Sequence, residues 1–415
     1  MKSLRRRSHQ ERHDCRFKAK RTRSRGQSTG IRRSFKGGEV IGTGSFGCVL
    51  RPALACDGES ALDNHVTKIG RSSDIEAEWN KKEFVVSAFQ TAQVDKSNPL
   101  LITDFFILPT KMCDSTEIKN LTNNEKFTKD CINSQTGPEF KDLTDLKALQ
   151  IPDGGKTLSD YYSTKSIIFE EFWESMCKLL RDGIVPLNSA GVIHGDGKPD
   201  NVVYGTINAS DPTKYMRLID WGQAVNFTTG FSFTGGSFTA RGFKPLSHCF
   251  LCQFVKTILD NNQSRSNFEI LNLLMASARD DGQFEVFSYL VQDTGLLNGD
   301  YKRSQVTEIL NKFRKANGKF GWEGYVDLLR ANVDVYMWVY IVEMCAFNFE
   351  EIFADSHLYD LRSNEDLVKS VFRKYMLDGE MLATGYTIET LILELRSLFS
   401  KRKLNTPTPL PTCQW

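Results

Sequence analysis

The 415-residue chain is 40% hydrophobic and 25% charged, a globular balance that excludes a wholly disordered or fibrous protein and suffices for two or three domain-sized units. No window reaches the ~18–20 uninterrupted apolar residues of a membrane span; the most apolar run, Val335–Val342, ends at Glu343. The net charge of +2 hides an asymmetry, because residues 1–36 carry 14 Lys/Arg against 2 Asp/Glu, or +12, which leaves −10 for the remainder.

Residues 1–36 hold few apolar side chains, so burial could not offset the entropy of folding and they read as a solvated basic tail. The same charge could serve as an address signal, or contact nucleic acid or acidic partners. With almost no aromatics to stack on bases, such contacts would be electrostatic and unspecific. No apolar segment follows the basic residues, so the start does not read as a secretory signal, and an intracellular, soluble protein is expected.

"GGEVIGTGSFGCVLRPAL" then reads as strand, glycine-rich turn, strand, and "NHVTKIG" as a short strand carrying a Lys. "SDIEAEWNKKEFVVSAF" reads as a helix with Ser73 or Asp74 near its N-cap. "LLITDFFILPT" and "LKALQIP" are strand-like, and the polar stretch 111–142 between them reads as an inserted loop. Beyond Thr157 the pattern turns helical. In "SIIFEEFWESMCKLL", Ile168, Phe172, Met176 and Leu179 recur at helical spacing and are expected in the core. "NVVY" and "MRLID" interrupt as strands. "FEILNLLMASA", "VDVYMWVYIVEMC" and "ETLILELRSLF" again read as helices, and the Pro-rich end from 403 reads as extended. Strands first and helices later argue for an α+β fold.

The ten cysteines are scattered, and in a chain neither small nor visibly secreted they are expected to be mostly free thiols. His248 and Cys249-x-x-Cys252 invite a zinc reading. No second ligand pair at zinc-finger spacing accompanies them, and the flanking Phe250, Leu251 and Phe254 favour a buried helix.

Several short motifs carry chemistry. "GTGSFGCV" places Gly42, Gly44, Gly47 and Val49 in a G-x-G-x-x-G-x-V pattern, and glycines let backbone N–H groups approach phosphates. The chain continues as strand rather than helix, which favours a hairpin lid over a nucleotide to a dinucleotide-binding turn. Lys68 ends the next strand and could hold phosphates if an acid on the following helix fixes it. Glu78 and Glu83 are the candidates. The 15-residue gap to Glu83 leaves room for a turn, whereas Glu78, at 10, needs a tight connection, so Glu83 is expected. "HGDGKPDN" gives His194, Asp196, Lys198 and Asn201 in an H-x-D-x-K-x-x-N array. Asp196 could accept or orient the proton of an attacking hydroxyl, Lys198 could neutralise a γ-phosphate, and Asn201 could offer an oxygen to a divalent metal. His194 reads as a structural hydrogen-bonding residue. Asp220 of "DWG" ends an apolar strand and could bridge metal to phosphates.

Together these pieces resemble the glycine loop, strand lysine, catalytic loop and D-F-G of protein kinases, over residues 37–400. The text "GGEVIGTGSFGCVLRPALAC", "IPDGGKTL" and "NVDVYMWVY" looks closest to the divergent serine/threonine kinases of large DNA viruses. The resemblance implies a bilobal protein-kinase-like α+β fold. A small β-rich N-lobe with one main helix would span 37–152, and a mainly helical C-lobe 153–402 with an insertion around 260–330. It implies ATP and Mg²⁺ (or Mn²⁺) as cofactors and a protein Ser/Thr hydroxyl as acceptor. Gly42, Thr43, Gly44, Ser45, Phe46, Gly47 and Val49 would form the lid, with Lys68 on the phosphates. Leu149 and Ile151 would lie by the adenine, and Asn201 and Asp220 on the metal. Asp334 would support the catalytic-loop backbone. Such a protein would work in host cytoplasm or nucleus and could be packaged in a virion.

Three departures accompany the resemblance. Gly195 stands where regulated kinases carry an Arg that pairs with a phosphorylated activation loop, which implies activity independent of that phosphorylation. A-P-E is missing, with "GFKPLSH" and its Pro245 as a stand-in, and Trp221 replaces the usual Phe. "HGDGKPDN" also fits small-molecule kinases of the aminoglycoside or choline type. A non-catalytic scaffold is a further alternative, against which the full set of catalytic groups argues.

Overall fold

The structure, a computed structural model, describes residues 38–44, 47–56, 59–60, 62–93, 97, 99–113, 130–131, 145–207, 213–226, 299–314, 316, 322–360, 365–376 and 378–400. The chain divides into two units, Met1–Lys36 and Gly37–Trp415. The described part is mixed α/β, with an antiparallel sheet in its N-terminal region and helices in its C-terminal region. No helix among the described residues is long and apolar enough to cross a membrane.

The sheet is formed by β1 (Glu39–Gly44), β2 (Gly47–Arg51), β3 (His65–Arg71), β4 (Lys111–Cys113) and β5 (Leu146–Pro152), in the order β1-β2-β3-β5-β4. Its register sorts the side chains. Val49 lies opposite Lys68 and Lys68 opposite Leu149, so these share one face; Val66 opposite Ile151 extends it. Cys48, Ile69 and Ala148 are aligned on the other face and pack with Leu50, Leu54 and Cys131 into a small separate core. Gly47 is glycine for a reason of packing: a Cβ there would stand 2.2 Å from the Ile69 carbonyl oxygen.

Disulfides join Cys48 to Cys131 and Cys56 to Cys113, which corrects the expectation of free thiols for these four residues. The partners are 83 and 57 residues apart, and only the folded sheet brings their Cα atoms to 5.9 and 5.7 Å. Cysteine usage therefore gives no support to a reducing compartment. Cys177 and Cys345 are free and buried. Cys249, Cys252, "FEILNLLMASA" and Pro245 lie outside the described residues.

Helix α1 (Ser72–Thr91) starts directly on the end of β3, with Arg71 as its N-cap and Asp74 in its first turn. "LLITDFFILPT" does not form the expected strand. Ile102–Asp104 is one 3₁₀ turn, and Phe106 makes a single parallel bridge to Leu218. Phe105 and Phe106 are both buried, against Phe89 and each other, and Phe106 also meets Trp221. Burial on both sides erases the alternation that marks a half-buried strand. The polar stretch from 111 begins as edge strand β4 rather than loop.

The C-terminal region contains β6 (Lys156–Thr157), α2 (Leu158–Tyr161), α3 (Phe169–Lys178), α4 (Val185–Ser189), β7 (Val192–Ile193), β8 (Val202–Thr206), β9 (Lys214–Leu218) and β10 (Val225–Asn226). Then follow α5 (Gly299–Lys312), α6 (Trp322–Phe347), α7 (Phe349–Ile352), α8 (Glu365–Met376), α9 (Gly379–Thr384) and α10 (Ile388–Ser397). Phe172, Met176 and Leu179 are buried as expected, whereas Ile168 is exposed because α3 begins after it, at Phe169. Helix α6 is 26 residues long and buried on nearly every side from Asn332 to Ala346, which makes it the axis of the large core. The Trp338 indole donates to the Met176 carbonyl at 2.8 Å and locks α6 to α3.

Candidate active site

The site is built where the sheet meets the segments β7–β8 and β9–β10. From the sheet side, the Lys68 ammonium donates to Glu78 Oε2 on α1 at 2.7 Å and to Asp220 Oδ1 at 2.8 Å. Lys68 and Glu78 are buried, and the Asp220 side chain is 33% exposed. Burial works against the Lys68 ammonium, but the Asp220 and Glu78 carboxylates outweigh it and hold the pKa above the usual lysine range. Burial also acts on Asp220, yet Lys68 beside it holds that carboxyl down at about 2. Glu78 is pushed upward by burial, against the pull of Lys68. Asp220 is thus the more firmly ionised of the two acids that share this lysine.

Glu78, not the expected Glu83, is the acid that fixes Lys68. The expectation assumed a turn between strand and helix, and there is none: β3 ends at Arg71 and α1 begins at Ser72. Five residues further on, Glu83 is rotated by roughly 140° about the helix and is exposed.

From the other side, the loop after β7 presents Asp196, Lys198 and Asn201. Lys198 Nζ lies 3.0 Å from Asp196 Oδ2, and the Asn201 amide donates to Asp196 Oδ2 at 2.7 Å and to its carbonyl at 2.9 Å. With both amide hydrogens used, the Asn201 side-chain oxygen has no partner among the described residues. Asp196 is buried, and burial raises its pKa against the opposing pull of Lys198. Asp220 lies close enough to act electrostatically on Asp196.

This loop is held by one carboxylate from the large core. Asp334 of α6 accepts the backbone N–H of His194 at 2.7 Å, that of Gly195 at 2.9 Å, and the Asn188 amide at 2.8 Å. Gly195 has φ +77°, the left-handed region that favours glycine, so its identity is already accounted for by the backbone. His194 accepts from the Asp196 N–H through Nδ1 at 3.2 Å, which leaves Nε2 to donate to the Ile219 carbonyl at 2.9 Å. It is a structural residue, set edge-on against Trp221.

Asp220 itself sits at φ +61°, uncommon for a non-glycine residue and maintained only where surroundings enforce it. Trp221 supplies part of that enforcement: it is buried, and its indole donates to the Ile107 carbonyl at 3.1 Å.

Lys68, Asp196, Lys198, Asn201 and Asp220 are thus brought together, with Val49 and Leu149 on the Lys68 face of the sheet. Gly42, Thr43 and Gly44 lie on β1 of the hairpin; Ser45 and Phe46 are outside the described residues. Sequence reasoning missed Asn188 and Lys81. Lys81 donates to the Gly222 carbonyl, and its position three residues after Glu78 was the available signal. Among the described residues no group of three or more His, Cys, Asp or Glu side chains could hold a metal. Asn201 and Asp220 offer hard oxygen donors of the kind Mg²⁺ takes when phosphates complete its shell. No protein-family model and no curated protein matches this chain.

Proposed function

We propose that the protein is a serine/threonine-protein kinase of bilobal fold, transferring the γ-phosphate of ATP to protein hydroxyls. One observation carries the reading. A single buried lysine on the sheet grips both a helix carboxylate and, 152 residues away, the carboxylate of the Asp-Trp-Gly turn. Two acids on one buried lysine, beside a third carboxylate of raised pKa, form the kind of perturbed cluster that gathers at functional sites.

In this reading Lys68 leaves Asp220 to hold the α- and β-phosphates, still oriented by Glu78. Val49, Leu149 and Ile151 line the sheet face against which the adenine lies. Asn201 and Asp220 are the residues that would hold Mg²⁺, which would supply neutralisation of the phosphate charge. Asp196 orients the acceptor hydroxyl and takes its proton, and its raised pKa suits that exchange. Lys198 neutralises the transferring phosphoryl group. Gly195 has no side chain to pair with a phosphorylated loop, so activity is independent of such phosphorylation.

The acceptor class is tested by offering γ-labelled ATP and Mg²⁺ with a basic protein, a Ser/Thr peptide mixture, an aminoglycoside and choline. Label on Ser or Thr supports the reading. Label only on the small hydroxyl compounds replaces it with a small-molecule kinase.

A further inference from the structure

We propose that Lys81 is a positioning residue that latches helix α1 onto the Asp-Trp-Gly turn and so presents Asp220 to the metal; this rests on the phosphotransfer reading above. Glu78 and Lys81 are three residues apart and share one face of α1. Glu78 acts on one end of the turn through Lys68, which it holds against Asp220 Oδ1. Lys81 acts on the other end directly, donating its ammonium to the Gly222 carbonyl. The turn is therefore bound at both ends by one helix.

The approach is close. A Cβ on Gly222 would stand 3.3 Å from Asp220 Oδ1, a tight approach, and in ordinary contact with Glu78 Oε2 at 3.8 Å, so a side chain there would press on the Asp220 carboxylate. Lys81 is half-buried, beside Glu78, Asp220 and Lys68. A surface lysine kept for solubility would extend into water; this one donates to a backbone carbonyl two residues after a left-handed Asp. The left-handed backbone of Asp220 needs outside support, and Trp221 and Lys81 give it through the two residues that follow, the indole on the Ile107 carbonyl and the ammonium on the Gly222 carbonyl. Lys81 touches neither of the proposed metal donors, and its effect is on the direction of the Asp220 carboxylate.

The test uses the full chain with Lys81→Met, which keeps the apolar stem, and Lys81→Arg, which keeps the donor. Losing one charge-assisted hydrogen bond should raise KM for Mg-ATP by about tenfold, with kcat within about threefold. Fluorescent-nucleotide affinity should weaken in Mg²⁺ and stay within about twofold of wild type without it, because the latch works through Asp220. The melting temperature should move by less than about 2 °C, and Lys81→Arg should recover most of the Mg-ATP affinity. Wild-type KM and Mg²⁺ dependence in Lys81→Met would overturn the latch, as would equal losses with and without Mg²⁺. If Lys81→Met fails to fold, Lys81→Gln is measured in its place, and unfolding of both reduces Lys81 to a purely structural residue. A wild type that neither transfers phosphate nor binds nucleotide with Mg²⁺ dependence sinks the kinase reading instead. A wild type that binds but does not transfer still scores the latch on binding.

Discussion

The two sides of the candidate site are held by different physics. The loop carrying Asp196 hangs from Asp334, a buried carboxylate on the most enclosed helix among the described residues, through backbone hydrogen bonds that do not depend on any ligand. The Lys68 side is held by charge: Lys68, Glu78 and Asp220 form an ion cluster whose third member is partly exposed. The backbone device fixes a loop once. In the proposed function the ionic device is rearranged, with phosphates taking the place of Asp220 on Lys68. On that proposal one half of the site is a rigid template and the other adjusts to what binds.

The sharpest way to break this contrast is to remove the rigid support. Asp334→Ala would leave two buried backbone N–H groups and the Asn188 amide short of an acceptor, at a cost of about 3–5 kcal/mol. Thermal or urea unfolding should show that loss, and transfer activity should vanish with it. A stable, active variant would mean that the loop is held by something else.

The adjustable side is probed by exchanging charge without volume. Glu78→Gln should lower kcat/KM by roughly 10²-fold, because Lys68 loses its orienting anion. Glu83→Gln, on the exposed flank of α1, should stay within about 0.5 kcal/mol in stability and near wild type in rate. Equal effects from the two would mean that α1 is not oriented as described.

A smaller effect separates the sides by pH. Asp196 has its pKa raised above the ordinary 3.8, whereas Asp220 is held at about 2. As pH falls, Asp196 protonates first, so the acid limb of kcat/KM should lie above the ordinary aspartate range. The depressed pKa of Asp220 contributes stability above its unfolded value, and that contribution is lost only as pH falls toward about 2. Activity should therefore fall before the Lys68–Asp220 pair does, since only Asp220 of the two acids on Lys68 has a lowered pKa. A pH–rate profile set beside a pH–melting curve checks the order.

Much of this architecture can be read in the sequence where a residue type has one physical use. The glycines of "GTGSFG" marked a hairpin, the buried run in α6 marked a central helix, and the spacing from Asp196 to Asn201 brought those two side chains into one hydrogen-bonded loop. Asp334 was readable only through family resemblance, since a lone Asp near a helix start has many uses. The failures share a cause: they depend on how separate segments meet. The choice of Glu78 over Glu83 turned on a strand running into a helix without a turn. The disulfides turned on which face of the sheet Cys48 occupies. Phe105 and Phe106 were ambiguous because a fully buried pair loses all periodicity.

The most direct test of the central claim is phosphate transfer from γ-labelled ATP with Mg²⁺, comparing wild type with Asp196→Asn on a generic basic protein. Wild type should label Ser or Thr, and the variant should lose at least about 10³-fold while still binding nucleotide. Equal labelling by both proteins would contradict the role of Asp196 and, with it, this account of the site.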